Sequence, residues 1–182
     1  MEYPLESKKR IAIVGPESSG KSDLSQCLGQ EFDEPWVKEM SRVYLEAQHG
    51  QYEESDLVKI AQLQLEEEEM LFNEARRFLF CDTNLLVIII WSEWKYNRVL
   101  PDLEKLWNAE SYDLHLLCKP DLPYEDDPLR ENPNPEDRIA LFEMYHKALI
   151  DLGVPFELIE GRGDERLKKA KSALSSHFPS YI

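Results

Sequence analysis

The chain has 182 residues, 42% of them apolar and 31% charged, which fits one globular domain over 1–182 with a sizeable core. Its net charge of −15 argues against a nucleic-acid partner, which needs a basic face, and the lack of any run of about 18 apolar residues argues against a membrane span. The acidity does not argue against ATP, because a few placed cations in a cleft decide the fate of a small anion.

The opening Met1-Glu-Tyr-Pro-Leu-Glu has no basic-then-apolar leader pattern, and residues 1–8 are expected to be disordered. Cys27, Cys81 and Cys118 are odd in number and widely spaced, so they are expected to be reduced core thiols of a cytoplasmic protein. Ile11–Val14 reads as the first strand and Asp23–Glu31 as the helix after it. Trp36–Lys38 reads as a short strand leading into a helix around Met40–His49. Glu53–Arg77 is a long helical stretch with Leu57, Ile60, Ala61, Leu63, Leu71 and Ala75 at helical spacing, and its run Glu66–Glu69 is expected to be a solvated face. Phe78–Asp82 is a second buried strand, and Leu85–Ile90 with Trp91-Ser-Glu-Trp94 favours a buried helix. Tyr112–Cys118 and Phe156–Ile159 complete the strands, with helices over Glu136–Leu152 and Glu165–His177. Strand and helix alternate, which predicts an α/β fold: a parallel sheet flanked by crossover helices. The proline-rich segment 119–135 is the candidate mobile lid.

Chemistry concentrates in Gly15-Pro-Glu17-Ser18-Ser19-Gly20-Lys21-Ser22, a complete G-x-x-x-x-G-K-[ST] phosphate loop between the first strand and its helix. Gly15 and Gly20 allow the tight turn that brings backbone N–H groups to phosphate oxygens; Lys21 supplies a mobile charge, and the Ser22 hydroxyl is a ligand for Mg²⁺. The expected fold is therefore that of a P-loop NTPase binding ATP. Asp82 ends a strand where a second magnesium-anchoring acid is expected; the other reading is a cap, because Asp82-Thr83-Asn84 are all good cap residues. Arg130 and Arg138 either fold over ATP and stabilise charge on the transferring phosphoryl group, or pair with nearby acids. Glu39 and Arg42, three apart on one helix face, either hold a substrate hydroxyl or pair with each other. His49, His115, His146 and His177 show no ligand spacing, and His115 reads as a core or edge residue.

Together these motifs resemble the ribosylnicotinamide kinase domain of NadR-type NAD-salvage enzymes. The loop with its inner Glu17-Ser18-Ser19, Glu39-Met-Ser-Arg42, Asp82-Thr83-Asn84, Tyr124-Glu-Asp126-Asp127-Pro-Leu-Arg130 and Val154-Pro-Phe follow that family's order and spacing from about residue 9 to 172. The resemblance implies MgATP-dependent phosphorylation of the 5′-hydroxyl of nicotinamide riboside, a small nucleoside. It implies that ATP is held by Gly15, Glu17, Ser18, Ser19, Gly20, Lys21, Ser22, Arg130 and Arg138. It also implies a substrate side of Glu39, Arg42, Asn84, Tyr124, Asp126 and Asp127, metal ligands Ser22 and Asp82, and catalytic roles for Lys21, Asp82 and Arg130. Asn84, Tyr124 and Pro128 stand where the family usually has an acid, a tryptophan and a glycine, all on the substrate side. The adenylyltransferase domain that precedes this one in many relatives is not in the sequence, so the chain is not expected to complete NAD synthesis alone. The general base is Glu39 or Asp82. Kinases for other nucleosides and an ATP-dependent regulatory module are the alternatives.

Overall fold

Lys9–Val14 forms the first strand (β1) because its apolar residues alternate between two covered faces: Ile11 and Ile13 enter one hydrophobic cluster, Ala12 and Val14 another. The computed structural model describes residues 7–182, so residues 1–6 of the segment expected to be disordered lie outside the described residues. Lys8 is fastened, its ammonium donating to the carbonyls of Phe72 and Asn73, each at 3.0 Å.

Four more strands, β2 (Trp36–Val37), β3 (Phe78–Asp82), β4 (Leu114–Cys118) and β5 (Phe156–Ile159), complete a wholly parallel sheet in the order β2-β3-β1-β4-β5. The register pairs Ile13 with Asp82 and Val14 with Leu117, so β1, β3 and β4 end together. Such a carboxyl edge is where ligands bind in open parallel sheets.

Among the described residues, six α-helices lie between strands, α1 (Lys21–Phe32), α2 (Met40–Ala47), α3 (Asp56–Glu74), α4 (Leu85–Tyr96), α5 (Pro101–Leu106) and α6 (Pro135–Leu152), and α7 (Asp164–His177) follows β5. The α1 and α7 side of the sheet holds Phe78, Phe80, Leu114 and Leu116; the opposite side packs Leu79, Cys81 and Leu117 against α4 and α6. A third cluster joins α3, α4 and α5 through Ile60, Leu85 and Leu103. This is the α/β P-loop architecture expected from the sequence.

The short helix α5 was not expected; it starts with Pro101 at its first position, a placement that costs no hydrogen bond. The long helix stops at Glu74 rather than Arg77, because the backbone N–H groups of Arg76 and Arg77 donate instead to the buried Glu34 carboxylate (2.9 and 3.1 Å). Cys27 is exposed, while Cys81 and Cys118 are buried as expected. Glu68, expected on a solvated face, is only 1% exposed. No helix among the described residues is long and apolar enough to cross a membrane.

Candidate active site

The phosphate loop runs from the end of β1 into α1. Gly15 lies at φ 140° with a Cβ position only 2.6 Å from the carbonyl oxygen of Cys118; Gly20 lies at φ 77° with its Cβ position 2.9 Å from Leu122 Cδ1. The positive φ favours glycine at both positions, and at Gly15 the approach to a backbone carbonyl also excludes a side chain. α1 has no side-chain cap, so its first amides are left for an anion. The Lys21 ammonium and the Ser19 hydroxyl both donate to the carbonyl of Pro16, at 2.8 and 2.7 Å. Behind the loop, the buried Arg166 of α7 donates to Ser19 O (2.8 Å) and Lys119 O (3.0 Å) and pairs with Asp121.

The segment 119–135 contains neither helix nor strand before Pro135, and the loop holds it down. Both carboxylate oxygens of Glu17 accept from lid backbone N–H groups, those of Glu131 (3.1 Å) and Asn132 (2.9 Å). Ser18, at a left-handed φ of 52°, accepts at Oγ from Arg130 Nη1 (2.9 Å) and the Glu125 amide (3.3 Å). Arg138, 4% exposed, donates to the carbonyls of Glu17 (3.1 Å), Ser18 and Leu122 (both 3.0 Å). Its guanidinium therefore braces the loop from behind, while Arg130 lines the cavity in front of it.

That cavity, about 410 Å³, is of a size that takes small ligands. The loop and α1 form its floor, Glu39, Ser41 and Arg42 one side, and Pro128–Asn132 its lid. Its apolar lining includes Tyr52 with Val87, Ile88, Trp91 and Trp94 of α4. Trp91 Nε1 donates to the Tyr52 hydroxyl (3.0 Å), with the two rings edge-on at 4.9 Å, and Trp94 Nε1 donates to Asn132 Oδ1 (3.0 Å). Sequence reasoning placed both tryptophans in the core. The detectable signal is that residues 87, 91 and 94 recur at helical spacing on one face.

Of the expected substrate-side residues, Glu39 and Arg42 line the cavity. Arg42 pairs with Asp127 (2.7 Å) and, more loosely, Glu46 (3.7 Å), not with Glu39. The Leu129 amide and Arg42 hold Asp127 below the usual carboxylate range. The other four, Asp127 included, are not part of the cavity lining. Asp126 is exposed, and Tyr124 lies 6.0 Å from the Arg138 guanidinium. Asn84 is fully buried, its Oδ1 capping α4 at the Leu86 amide (3.1 Å) and its amide 3.3 Å from His115 Nε2. The capping role considered for Asp82-Thr83-Asn84 thus falls to Asn84, which leaves Asp82 free of it.

Asp82 is 4% exposed, and its Oδ1 has no hydrogen-bond partner among the described residues. Burial and, second, the charge of Glu39 push its pKa up to about 7, against the pull of Ser22, Lys21 and Arg42. An unpartnered buried carboxylate oxygen beside a serine hydroxyl fits Mg²⁺, a hard cation that takes one or two carboxylates and fills its shell from phosphates and water. No cluster of three or more His, Cys, Asp or Glu that could hold a metal occurs among the described residues, and none is needed for such an ion.

Glu68 lies behind this site. Its carboxylate accepts from Gln64 Nε2 (3.0 Å) and the Tyr112 hydroxyl (2.8 Å), and burial pushes its pKa up to about 7 in spite of both bonds. The 57-60-61-64-68 spacing of the buried residues of α3 could have revealed it in the sequence. The raised value means that between about pH 4.5 and 7 the folded protein keeps a proton the unfolded chain has lost, so stability falls as pH rises through that window. This group alone should make the protein roughly 3 kcal/mol less stable at pH 8 than at pH 4.5. Glu68→Gln should remove that part of the slope, raising Tm at pH 8 far more than at pH 4.5 in thermal unfolding followed by circular dichroism. Equal shifts at both pH values would contradict the assignment.

The fold recurs in solved structures. A crystal structure of NadR protein in complex with NR superposes with a TM-score of 0.81 at 20% identity, over 95% of this chain and 51% of that one. NadR in complex with NAD and AMP-PNP gives 0.80 at 19%, over 95% and 50%. Deoxyadenosine kinase from M. mycoides with bound dATP gives 0.58 at 15%, over 92% of this chain and 99% of that one. The chain thus spans about half the length of the NadR chains it matches, and the resemblance noted in the motifs extends to the fold. None of the curated proteins matches the chain. The AAA domain family matches residues 10–166, and with its loop, sheet and carboxyl-edge cavity in place the chain belongs to that family of P-loop proteins.

Proposed function

We propose that this protein is a MgATP-dependent nucleoside kinase of the cytoplasm that phosphorylates the 5′-hydroxyl of nicotinamide riboside. One observation carries the reading: a single cavity is lined by the phosphate loop, by a lid that contributes Arg130, and by the aromatic side chains Tyr52, Trp91 and Trp94. A loop that only stored ATP would not need those aromatic side chains. The aromatic wall of Tyr52, Trp91 and Trp94 suits a flat, positively charged ring, since cations are attracted to aromatic faces. Of the three departures from the family pattern, Asn84 and Tyr124 lie off the cavity wall, and only Pro128 lies on it. The likeness to a NadR protein bound to NR supports the same acceptor.

In this reading the loop amides and Lys21 hold the β- and γ-phosphates, and Arg130 meets charge on the transferring group. Ser22 and Asp82 would hold Mg²⁺, which supplies charge neutralisation to the phosphate oxygens. The Glu39 carboxylate takes the proton of the acceptor hydroxyl as its oxygen bonds to the γ-phosphorus and the bond to the bridging oxygen of ADP breaks. Arg42, oriented by Asp127, binds the ribose hydroxyls.

A panel of nicotinamide riboside, cytidine, thymidine, adenosine and deoxyadenosine with MgATP, read as ADP release and product mass, tests the reading. Nicotinamide riboside should give the highest kcat/KM, by at least about tenfold, a margin of 1.4 kcal/mol in transition-state binding. Preference for another nucleoside would keep the kinase and overturn the acceptor. Tight ATP binding with no transfer to any of them would favour a regulatory module.

A further inference from the structure

We propose that Gln64 and Glu68 of α3 are positioning residues for the transfer: Glu68, with Tyr112, fixes the orientation of the Gln64 amide, and Gln64 holds the backbone that follows Glu39 and Asp82, setting where those two carboxylates sit. The proposal rests on the reading that these carboxylates serve phosphoryl transfer.

Gln64 is 1% exposed, and its amide is used up by protein groups. Its Oε1 accepts from the backbone N–H of Met40 (3.2 Å), and its Nε2 donates to Glu68 Oε1 (3.0 Å) and reaches the carbonyl of Thr83 (3.5 Å). Met40 is the first residue of α2, and Glu39 is the residue that would ordinarily cap that helix. Glu39 makes no capping bond. Gln64, from another helix, satisfies the first N–H, and the Glu39 carboxylate stays at the cavity, steadied by the Ser41 hydroxyl (2.8 Å). Thr83 directly follows Asp82 and takes φ 71°, a left-handed conformation rare and strained for a β-branched residue. Such strain persists only where neighbours enforce it. Here the Thr83 amide donates to Ile13 O (3.0 Å), and its carbonyl faces Gln64.

A glutamine amide can be turned end for end at little cost in shape. Glu68 limits that freedom: with the Tyr112 hydroxyl donating to its other oxygen (2.8 Å), its Oε1 takes the –NH₂ end of Gln64 (3.0 Å) and so leaves the Oε1 end to Met40. Nothing in this chain of contacts needs the charge itself. A leucine in place of Glu68 would fill the same space without the cost of a buried carboxylate, so a role in packing alone does not explain the residue.

The test compares Gln64→Leu, Glu68→Leu and Glu68→Gln with wild type in steady-state kinetics with MgATP and nicotinamide riboside, alongside Tm and calorimetric ATP affinity. Gln64→Leu and Glu68→Leu should each lose roughly 10- to 100-fold in kcat while KM for ATP stays within about threefold. Glu68→Gln keeps an amide oxygen for Gln64 and turns its –NH₂ to the Tyr112 oxygen, so its kcat should stay within about threefold of wild type. Folded Gln64→Leu with undiminished kcat overturns the proposal, and so does Glu68→Gln falling as far as Glu68→Leu. If Gln64→Leu does not fold, the two Glu68 variants decide. Wild-type protein that transfers phosphate to no nucleoside overturns the functional reading instead. The positioning is then judged by the crystal structure of Gln64→Leu: displacement of Met40 and Glu39 supports it, and their unchanged placement overturns it.

Discussion

Lys21→Ala is expected to lower kcat/KM for the proposed nucleoside phosphorylation by about a thousandfold, with Tm unchanged within roughly 3 °C. The two magnitudes separate because the side chain does different work in the two states. In the structure the ammonium donates to Pro16 O at 2.8 Å, a partly exposed bond within the loop, worth about 1 kcal/mol net to folding. The Ser19 hydroxyl already satisfies that carbonyl at 2.7 Å, so removing the lysine orphans nothing. With ATP bound, the same ammonium is the cation best placed to meet charge spreading over the γ-phosphoryl oxygens, in a cavity roofed by Pro128–Asn132. Turnover within tenfold of wild type in a folded Lys21→Ala protein would remove the phosphate loop from the chemistry.

Asp82→Asn should give the opposite signs in the two assays: kcat lower by about a hundredfold or more, and Tm at pH 8 higher by roughly 5 °C. Asp82 is buried with one oxygen unpartnered, and its pKa is pushed above the ordinary carboxylate value by burial and then by Glu39. Above pH 7 the folded protein carries that charge at a cost the unfolded chain does not bear, so a neutral isostere relieves it. At pH 4 the carboxyl is protonated when folded, and the gain in Tm should vanish. In the proposed reaction function reverses the preference, because an asparagine oxygen would carry no net charge with which to anchor a Mg²⁺ beside Ser22. Stabilisation with full activity would show that Asp82 takes no part in the reaction, and destabilisation at pH 8 would show that its charge is compensated.

What was legible in the sequence was local. The phosphate loop, β3 and β5, and the irregular lid follow from neighbours along the chain: glycines at fixed offsets, short apolar runs, prolines between acids. Facing was harder to read. Glu66–Glu69 looks uniformly solvated, yet one of its members is carried inward by the helical repeat beginning at Leu57, and only the packing of α3 on Tyr112 shows where it goes. Trp91 and Trp94 look like core because a cavity wall and a core demand the same residues. Asn84 and Tyr124 occupy positions where the family resemblance implies substrate contact, but here Asn84 caps a helix and Tyr124 sits beside Arg138. Side-chain direction at a strand end is set by tertiary contacts that no spacing rule records.

The bond between Glu17 and the lid has an evolutionary consequence. Glu17 grips the lid by the main-chain N–H groups of residues 131 and 132, which every amino acid except proline presents alike. These two bonds are therefore indifferent to what side chains those positions carry, whereas the Glu131 and Asn132 side chains tie the lid separately to Lys95, Tyr52 and Trp94. Mutation can explore new acceptors there, where Asn132 already touches the aromatic wall, without first undoing the latch. Such a lid can change its taste while keeping its grip, and families that spread over many small acceptors from one phosphate loop would draw on that separation.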